Sequence, residues 1–177
     1  EYQLLDERLE RKNHKKTRFF TYADTITTSN YSKTMQGHGW IGIRFQGSPD
    51  ETPSDFIIHI ILHDQDSKLQ QETVGIIGTN ILHACFNEKD PKEILKSAYD
   101  SIEKEQFEIN MVEVVGPAFK NVDNRLLSLT LVKERMTNAV IFTPDGKNKQ
   151  PSDILYKKNI LTMRGSFRPV TKVNIDM

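Results

Sequence analysis

The chain has 177 residues, and its 24 lysines and arginines balance 24 aspartates and glutamates, so the formal net charge is zero at pH 7. This length allows one domain with its own hydrophobic core, while the zero net charge argues against nucleic acid as a partner. The single cysteine, Cys85, excludes an internal disulfide and favours a reducing compartment, so we expect a cytoplasmic protein.

The two ends of the chain predict that it is part of a longer polypeptide. It begins with Glu1 rather than with methionine. Near the other end, Val173, Ile175 and Met177 alternate with polar residues, as the residues of a half-buried strand do. The predicted α/β domain is therefore expected to be incomplete at its C-terminus.

The first predicted element is a polar helix over residues 1–18, followed by an α/β domain over residues 19–177. Leu4, Leu5 and Leu9 share one side of this helix. Its second half is a basic cluster that comprises Arg11, Lys12, His14, Lys15, Lys16 and Arg18. Such a cluster is typical of a solvated surface, and contact with a phosphate or a partner is the alternative interpretation.

Two strands are predicted next, and we expect them to pair in the interior of the sheet. Residues 39–46 alternate apolar with polar or small side chains, whereas residues 55–63 are almost continuously apolar, as in a strand covered on both faces. The apolar run 56–62 is far shorter than the ~20 residues that cross a bilayer. No membrane association is therefore expected.

Three helices and a third strand follow. A capping box at Ser67 and Gln70 predicts a long helix to about Phe86, and Asp90 followed by Pro91 predicts the start of a second helix. Residues 107–115 predict a strand, and Asp123 is the expected N-cap of a third core helix.

The remaining elements decide the predicted fold class. A short strand over 138–143, a short helix over 152–158 and a strand over 159–163 are expected. From Glu108 onward strands and helices alternate, which is the pattern of strand-helix-strand units. We therefore predict an α/β domain with a largely parallel sheet and flanking helices.

The best candidate for a binding site is an anion site near the C-terminus. Open α/β sheets bind ligands beyond the carboxyl ends of their strands, so residues that follow strands are examined first. Positive charges and a hydroxyl group, suited to a phosphate or carboxylate, occur together at Arg164, Ser166, Arg168, Lys157 and Lys158. The alternative interpretation is that the arginines tie a loop to nearby acids.

A second polar group follows the strand 107–115 and is expected to form the opposing wall of this anion site. It comprises Asp123, Asn124 and Arg125. A third candidate is a loop at the entrance to the first strand, where His38 lies between two glycines beside Trp40, the only tryptophan. A turn with the tryptophan anchored in the core is the simpler interpretation of that loop.

Other chemically interesting residues are interpreted as structural. His59 and His63 lie four residues apart on a predicted strand, about 13 Å, which is too far for one metal ion, so no metal site is expected. Cys85 falls on the apolar side of the long helix, and it is a candidate nucleophile only if an imidazole lies beside it. Gly75 and Gly78 inside that helix predict close packing against a strand, with a ligand as the alternative.

Several stretches resemble the N-terminal part of a family of large, uncharacterised cytosolic bacterial proteins. They are residues 19–25 (FFTYADT), 38–46 (HGWIGIRFQ), 70–72 (QQE), 122–126 (VDNRL) and 164–171 (RGSFRPVT). The resemblance covers nearly the whole chain. It implies a longer polypeptide, because members of the family continue well beyond the position of Met177, and it carries over no catalytic residues.

Members of this family often bear the genome labels nicotinate-nucleotide adenylyltransferase or TonB-dependent receptor, and the residues here support neither. Adenylyltransferases have a His-x-Gly-His-type motif after their first strand, whereas Gly37-His38-Gly39-Trp40 precedes a strand and lacks the second histidine. A TonB-dependent receptor is an outer-membrane protein, which does not agree with helices placed between strands.

Two functions are therefore carried forward. The first is a cytosolic domain that binds an anionic small molecule, either a nucleotide or a phosphorylated metabolite, with or without chemical action on it. The second is a structural or scaffolding subunit whose polar loops contact other proteins or further copies of the chain.

Overall fold

The computed structural model describes residues 19–30, 32, 34–47, 50–87, 90–162, 165 and 168–173. Its elements in chain order are β1 (Phe19–Thr27), β2 (Gly37–Gln46), β3 (Ser54–Leu62), α1 (Ser67–Asn87), α2 (Pro91–Ser97), β4 (Phe107–Val115), a 3₁₀ turn (Pro117–Phe119), α3 (Asn124–Lys133), β5 (Ile141–Phe142), β6 (Asn148–Lys149) and α4 (Pro151–Leu155). The predicted helix over 1–18 and the chain end 174–177 lie outside the described residues.

A four-stranded sheet in the order β1-β2-β3-β4 forms the centre of the fold, and every neighbouring pair of strands is antiparallel. β5 and β6 form a separate antiparallel pair. The prediction of a largely parallel sheet is therefore wrong, and no strands pair in parallel within the described part of the chain. The expectation that the strands predicted over 39–46 and 55–63 pair in the sheet interior is confirmed, because they correspond to β2 and β3.

The connection between β3 and β4 explains the strand direction. One crossover helix carries the chain to the opposite end of a sheet, so that the next strand runs parallel. Here the connection contains two helices, α1 and α2, which pack against each other. The chain therefore returns to the end it left, and Leu62 at the end of β3 lies opposite Phe107 at the start of β4.

The helix starts follow local capping chemistry. Asp66 Oδ1 accepts hydrogen bonds from the backbone N–H groups of Lys68 and Leu69, so the cap of α1 is Asp66 rather than the predicted Ser67. Asp90 caps α2 and Asp123 caps α3 through the same type of bond, as the sequence predicts. Each cap of this type contributes about 1 kcal/mol to helix stability.

One face of the sheet is covered by α1 and α2 and forms the hydrophobic core. Alternate residues of β2, β3 and β4 supply it, and α1 adds Val74, Ile77 and Ile81. Each fully buried isoleucine of this kind contributes roughly 2 kcal/mol through removal of apolar surface from water. The opposite face, which we call the second face, carries polar residues among its apolar ones.

The region after α3 differs from its prediction. The strand predicted over 138–143 is reduced to β5, and the described residues of 159–163, which are 159–162, form no strand. β5 and β6 instead make a hairpin around Gly146, whose φ of 80° favours glycine. None of the described helices is long and apolar enough to cross a membrane.

The outer edge of β4 is covered by side-chain and main-chain groups. The Asn124 amide donates to Val114 O and accepts from Val114 N, at 2.9 and 2.8 Å. Asn148 Nδ2 lies 2.9 Å from Val112 O, and the Ile109 N–H donates to Met136 O. These bonds satisfy backbone groups that a fifth strand would otherwise use.

Candidate ligand-binding cleft

The β5–β6 hairpin and α4 lie across the second face of the sheet and enclose a cavity of about 370 Å³. We call it the hairpin cleft. Its lining residues are Trp40, Met111, Glu113, Asn124, Gly146, Lys147, Asn148, Lys149, Gln150 and Asp153. The sheet supplies the floor through Trp40, Met111 and Glu113, whereas the hairpin and α4 supply most of the wall. The cleft is thus mainly polar, with one large aromatic ring in its floor.

His59 lies beside the cleft and is only 1% exposed. Its Nδ1 lies 2.6 Å from Asn110 Oδ1 and its Nε2 lies 3.0 Å from Gln150 Nε2. Because Asn110 Oδ1 can only accept and Gln150 Nε2 can only donate, this arrangement fits a neutral ring with its proton on Nδ1. Burial, the largest effect, lowers the pKa of His59. The imidazole therefore links β3, Asn110 at the register shift between β3 and β4, and Gln150 at the start of α4.

Trp40 packs against this histidine. The two ring centroids are 4.8 Å apart in an edge-to-face arrangement, and the His38 ring, two residues earlier in β2, lies 5.7 Å from that of His59. His38 and Trp40 were expected in a loop before the strand, but both lie within β2 itself. Since Trp40 is partly buried and lines the cleft, its indole is positioned by β2 and β3 rather than by a flexible turn.

Asn148 carries the main unsatisfied polar group of the cleft. Its Nδ2 lies within 3.0 Å of Val112 O, Asn124 O and Ser128 Oγ, which fixes the orientation of the amide. Its Oδ1 is buried and has no hydrogen-bond partner among the described residues. A buried acceptor without a partner costs about 1–3 kcal/mol.

The charged side chains of the cleft are of both signs. Lys147 Nζ pairs with Asp145 Oδ2 at 3.0 Å, and the Thr143 hydrogen bond, followed by this pairing, lowers the pKa of Asp145 to about 2. No described residue forms an ion pair with Lys149, Glu113 or Asp153. The cleft therefore offers an ammonium group and two carboxylates to a ligand.

The structure only partly describes the anion site predicted near the C-terminus. Arg164 and Ser166 lie outside the described residues. Lys157, Lys158 and Arg168 are exposed, and no hydrogen bond or ion pair between described side chains joins them to the predicted opposing wall. Lys157 Nζ lies 5.0 Å from the Tyr156 ring centroid. Anion binding at this loop stays a prediction.

The predicted opposing wall has structural contacts. Asp123 caps α3, and its carboxylate binds the Arg125 guanidinium through two hydrogen bonds of 3.1 and 2.8 Å. These hydrogen bonds lower the pKa of Asp123 to about 2. The side-chain amide of Asn124 forms hydrogen bonds with Val114 at the edge of β4. The prediction placed this wall opposite the anion site because residues that follow parallel strands lie at the same edge of a sheet. In an antiparallel sheet the carboxyl ends of neighbouring strands alternate between the two ends, so that reasoning does not apply here.

A larger cavity, of about 420 Å³, lies at the far end of the sheet and has both aromatic and polar residues in its lining. Phe20, Phe45, Phe86 and Phe119 line it, with ring centroids of neighbouring pairs 5.5 to 5.9 Å apart. Cys85 also lines it, and burial raises the pKa of that thiol to about 12, which does not suit a nucleophile. The polar residues of its lining are Gln46, Glu51, Thr52, Ser54 and Asn87.

Sequence reasoning missed most of the hairpin cleft. Lys147, Lys149, Gln150 and Asp153 carry no motif and lie in or near the two-residue strand β6. The only available signal was the Pro144-Asp145-Gly146 turn, which predicts a reversal but not the surface it covers.

Within the described ranges, no three histidine, cysteine, aspartate or glutamate residues are grouped as metal ligands. No protein-family model, curated protein sequence or solved structure matches this chain.

Proposed function

We propose that the chain binds a small anionic molecule, of the nucleotide or phosphorylated-metabolite class, in the hairpin cleft. The observation that carries the proposal is the cleft lining, in which the partly buried Trp40 indole and side chains of both charges border one cavity. The cleft volume of about 370 Å³ is within the usual range for small-molecule sites.

Two groups of this lining favour a ligand that combines a flat ring with a negative charge. The indole of Trp40 offers an aromatic surface in the floor, and base-aromatic contacts typically contribute about 1–3 kcal/mol. The ammonium group of Lys149 offers a charge-assisted bond to a phosphate oxygen. Glu113 and Asp153 accept from exocyclic amino or hydroxyl groups, which a nucleotide carries and inorganic phosphate does not.

The single tryptophan makes the first experiment direct. Because Trp40 is the only tryptophan and lines the cleft, a ligand that enters it changes the fluorescence of the whole protein. We expect ADP to change this fluorescence saturably and inorganic phosphate to act only at much higher concentration. If no nucleoside phosphate or sugar phosphate in a panel changes Trp40 fluorescence or the melting temperature, the proposed function is wrong.

Matched variants locate the site. Lys149→Ala should weaken ADP binding about tenfold, the equivalent of one charge-assisted hydrogen bond. Lys120→Ala removes an exposed lysine outside the cleft and should leave the affinity unchanged. Arg168→Ala provides the competing result, because loss of affinity in this variant but not in Lys149→Ala would place the anion at the loop around residue 168 instead.

A further inference from the structure

The two edges of the sheet differ in how they are covered. Asn124, Asn148 and Met136 cover the outer edge of β4. β1 pairs with β2 along its full nine residues without a register shift, and no described strand pairs with its other edge. Every second residue of β1 therefore directs its backbone N–H and C=O groups away from the sheet. β1 is a long, regular edge strand, which is the type that pairs with another chain.

Natural edge strands usually carry features that prevent such pairing, and β1 has only one of them, the charge of Asp24. Its sequence, FFTYADTIT, contains no proline, lysine or arginine, and it pairs without a bulge. Threonine and aromatic side chains, which favour strands, make up most of it. Residues 21–25 are exposed, so side chains do not block the approach of a second strand. The edge is therefore chemically suited to strand addition.

We propose that β1 pairs antiparallel with β1 of a second copy of this chain, around a twofold axis at Ala23. In this register Thr21 lies opposite Thr25 and Tyr22 lies opposite Asp24 of the second copy. The only charged residue of β1 is thus placed opposite a hydroxyl donor and not opposite its own copy. Ala23, which meets itself at the axis, has the smallest side chain in the strand. The result is a continuous sheet of eight strands.

This register allows the dimer to be tested with charged substitutions at the axis. Ala23→Lys places two ammonium groups opposite each other, and Ala23→Glu places two carboxylates there, so each variant alone should be monomeric. An equimolar mixture of the two places opposite charges at the axis and should restore the dimer. Sedimentation velocity over protein concentrations up to ~1 mM measures all three samples and the unmodified chain. Restoration in the mixture also shows that both variants fold.

Two results would overturn the proposal. One is an unmodified chain that stays monomeric over the whole concentration range. If the β1 amides of this monomer are also protected from hydrogen exchange, the edge is covered by another part of the same chain. The other is a dimer that persists in Ala23→Lys, since the interface would then lie elsewhere. Leu126→Lys adds the same charge at an exposed position of α3, beside the opposite edge, and should leave the dimer unchanged.

Discussion

The hydroxyl group of Tyr22 in β1 occupies the space where a side chain at Gly78 of α1 would project. A Cβ atom at Gly78 would lie 2.2 Å from Tyr22 Oη and 2.7 Å from Cζ. Tyr22 Oη also donates to Asp24 Oδ2 at 2.8 Å. Burial, followed by the effect of Asp24, raises the pKa of the phenol well above its usual value. The glycine therefore lets the edge strand pack closely on the longest helix, which confirms the packing interpretation for Gly78.

Alanine substitutions at the two glycines of α1 should have opposite effects on stability. A Cβ at Gly75 would meet nothing within 4 Å, so Gly75→Ala should raise the free energy of unfolding by about 1 kcal/mol through helix propensity. Gly78→Ala gains the same helix propensity but displaces Tyr22, so it should lower the free energy of unfolding by roughly 1 kcal/mol net. Urea denaturation of both variants provides the comparison. Stabilisation by Gly78→Ala would show that Tyr22 moves aside without loss.

Asn124 should contribute more to stability than its neighbour Arg125. Asn124→Ala leaves the N–H and C=O of Val114 without partners at the sheet edge, so we expect a loss of about 2 kcal/mol. The Arg125 pair with Asp123 is solvent-exposed, and Arg125→Ala should cause no measurable change. Hydrogen exchange at Val114 distinguishes the two variants. Equal losses would contradict the edge-covering role of Asn124.

Gln70 joins three separate segments. It is fully buried, its Oε1 accepts from Ser29 N, and its Nε2 donates to Ser29 Oγ and to Asp64 O. Gln70→Glu removes both donor bonds and places a carboxyl group in a buried site, which should cost about 3 kcal/mol. Gln71→Glu changes an exposed neighbour in the same way and serves as the control.

The outcome for Gln70 is measured in two ways. Thermal unfolding reports the loss of stability, and amide exchange of residues 28–36 reports whether the loop after β1 becomes mobile. If Gln70→Glu has the same melting temperature as Gln71→Glu, the three segments are held together by other contacts.

The stability of the protein should decrease on mild acidification because of His59. Its pKa in the folded state is below the ordinary value of 6.5, so the unfolded chain binds a proton first as the pH falls. The contribution of His59 is therefore fully present above about pH 6.5 and is lost as the pH falls toward the folded-state pKa. Denaturant midpoints at pH 7.5 and pH 5.5 measure the effect.

A histidine control makes this pH dependence specific. His59→Gln should flatten the dependence between those two pH values, whereas His63→Gln, at an exposed position, should retain it. If the His59 variant keeps the full dependence, another group is responsible for it. The folded-state tautomer is checked separately, since the Nδ1–H that donates to Asn110 should exchange slowly.

The sequence by itself determined the local features of this protein. Asp90 and Asp123 begin helices because the caps need only the next two or three residues, and the period of the apolar residues places α1 within a residue or two of its observed bounds. β3 and β4 were likewise recognisable, because composition and alternation are properties of a single strand.

Only the tertiary structure decided the direction of the strands, the existence of β1 as an edge and the position of the cleft. Strand direction depends on whether the helices between β3 and β4 return the chain to its starting end. The cleft depends on bonds between residues far apart, such as Gln150 with His59 and Asn148 with Val112. Residue patterns report short-range preferences, whereas these contacts form only when burial of the whole core brings distant segments together.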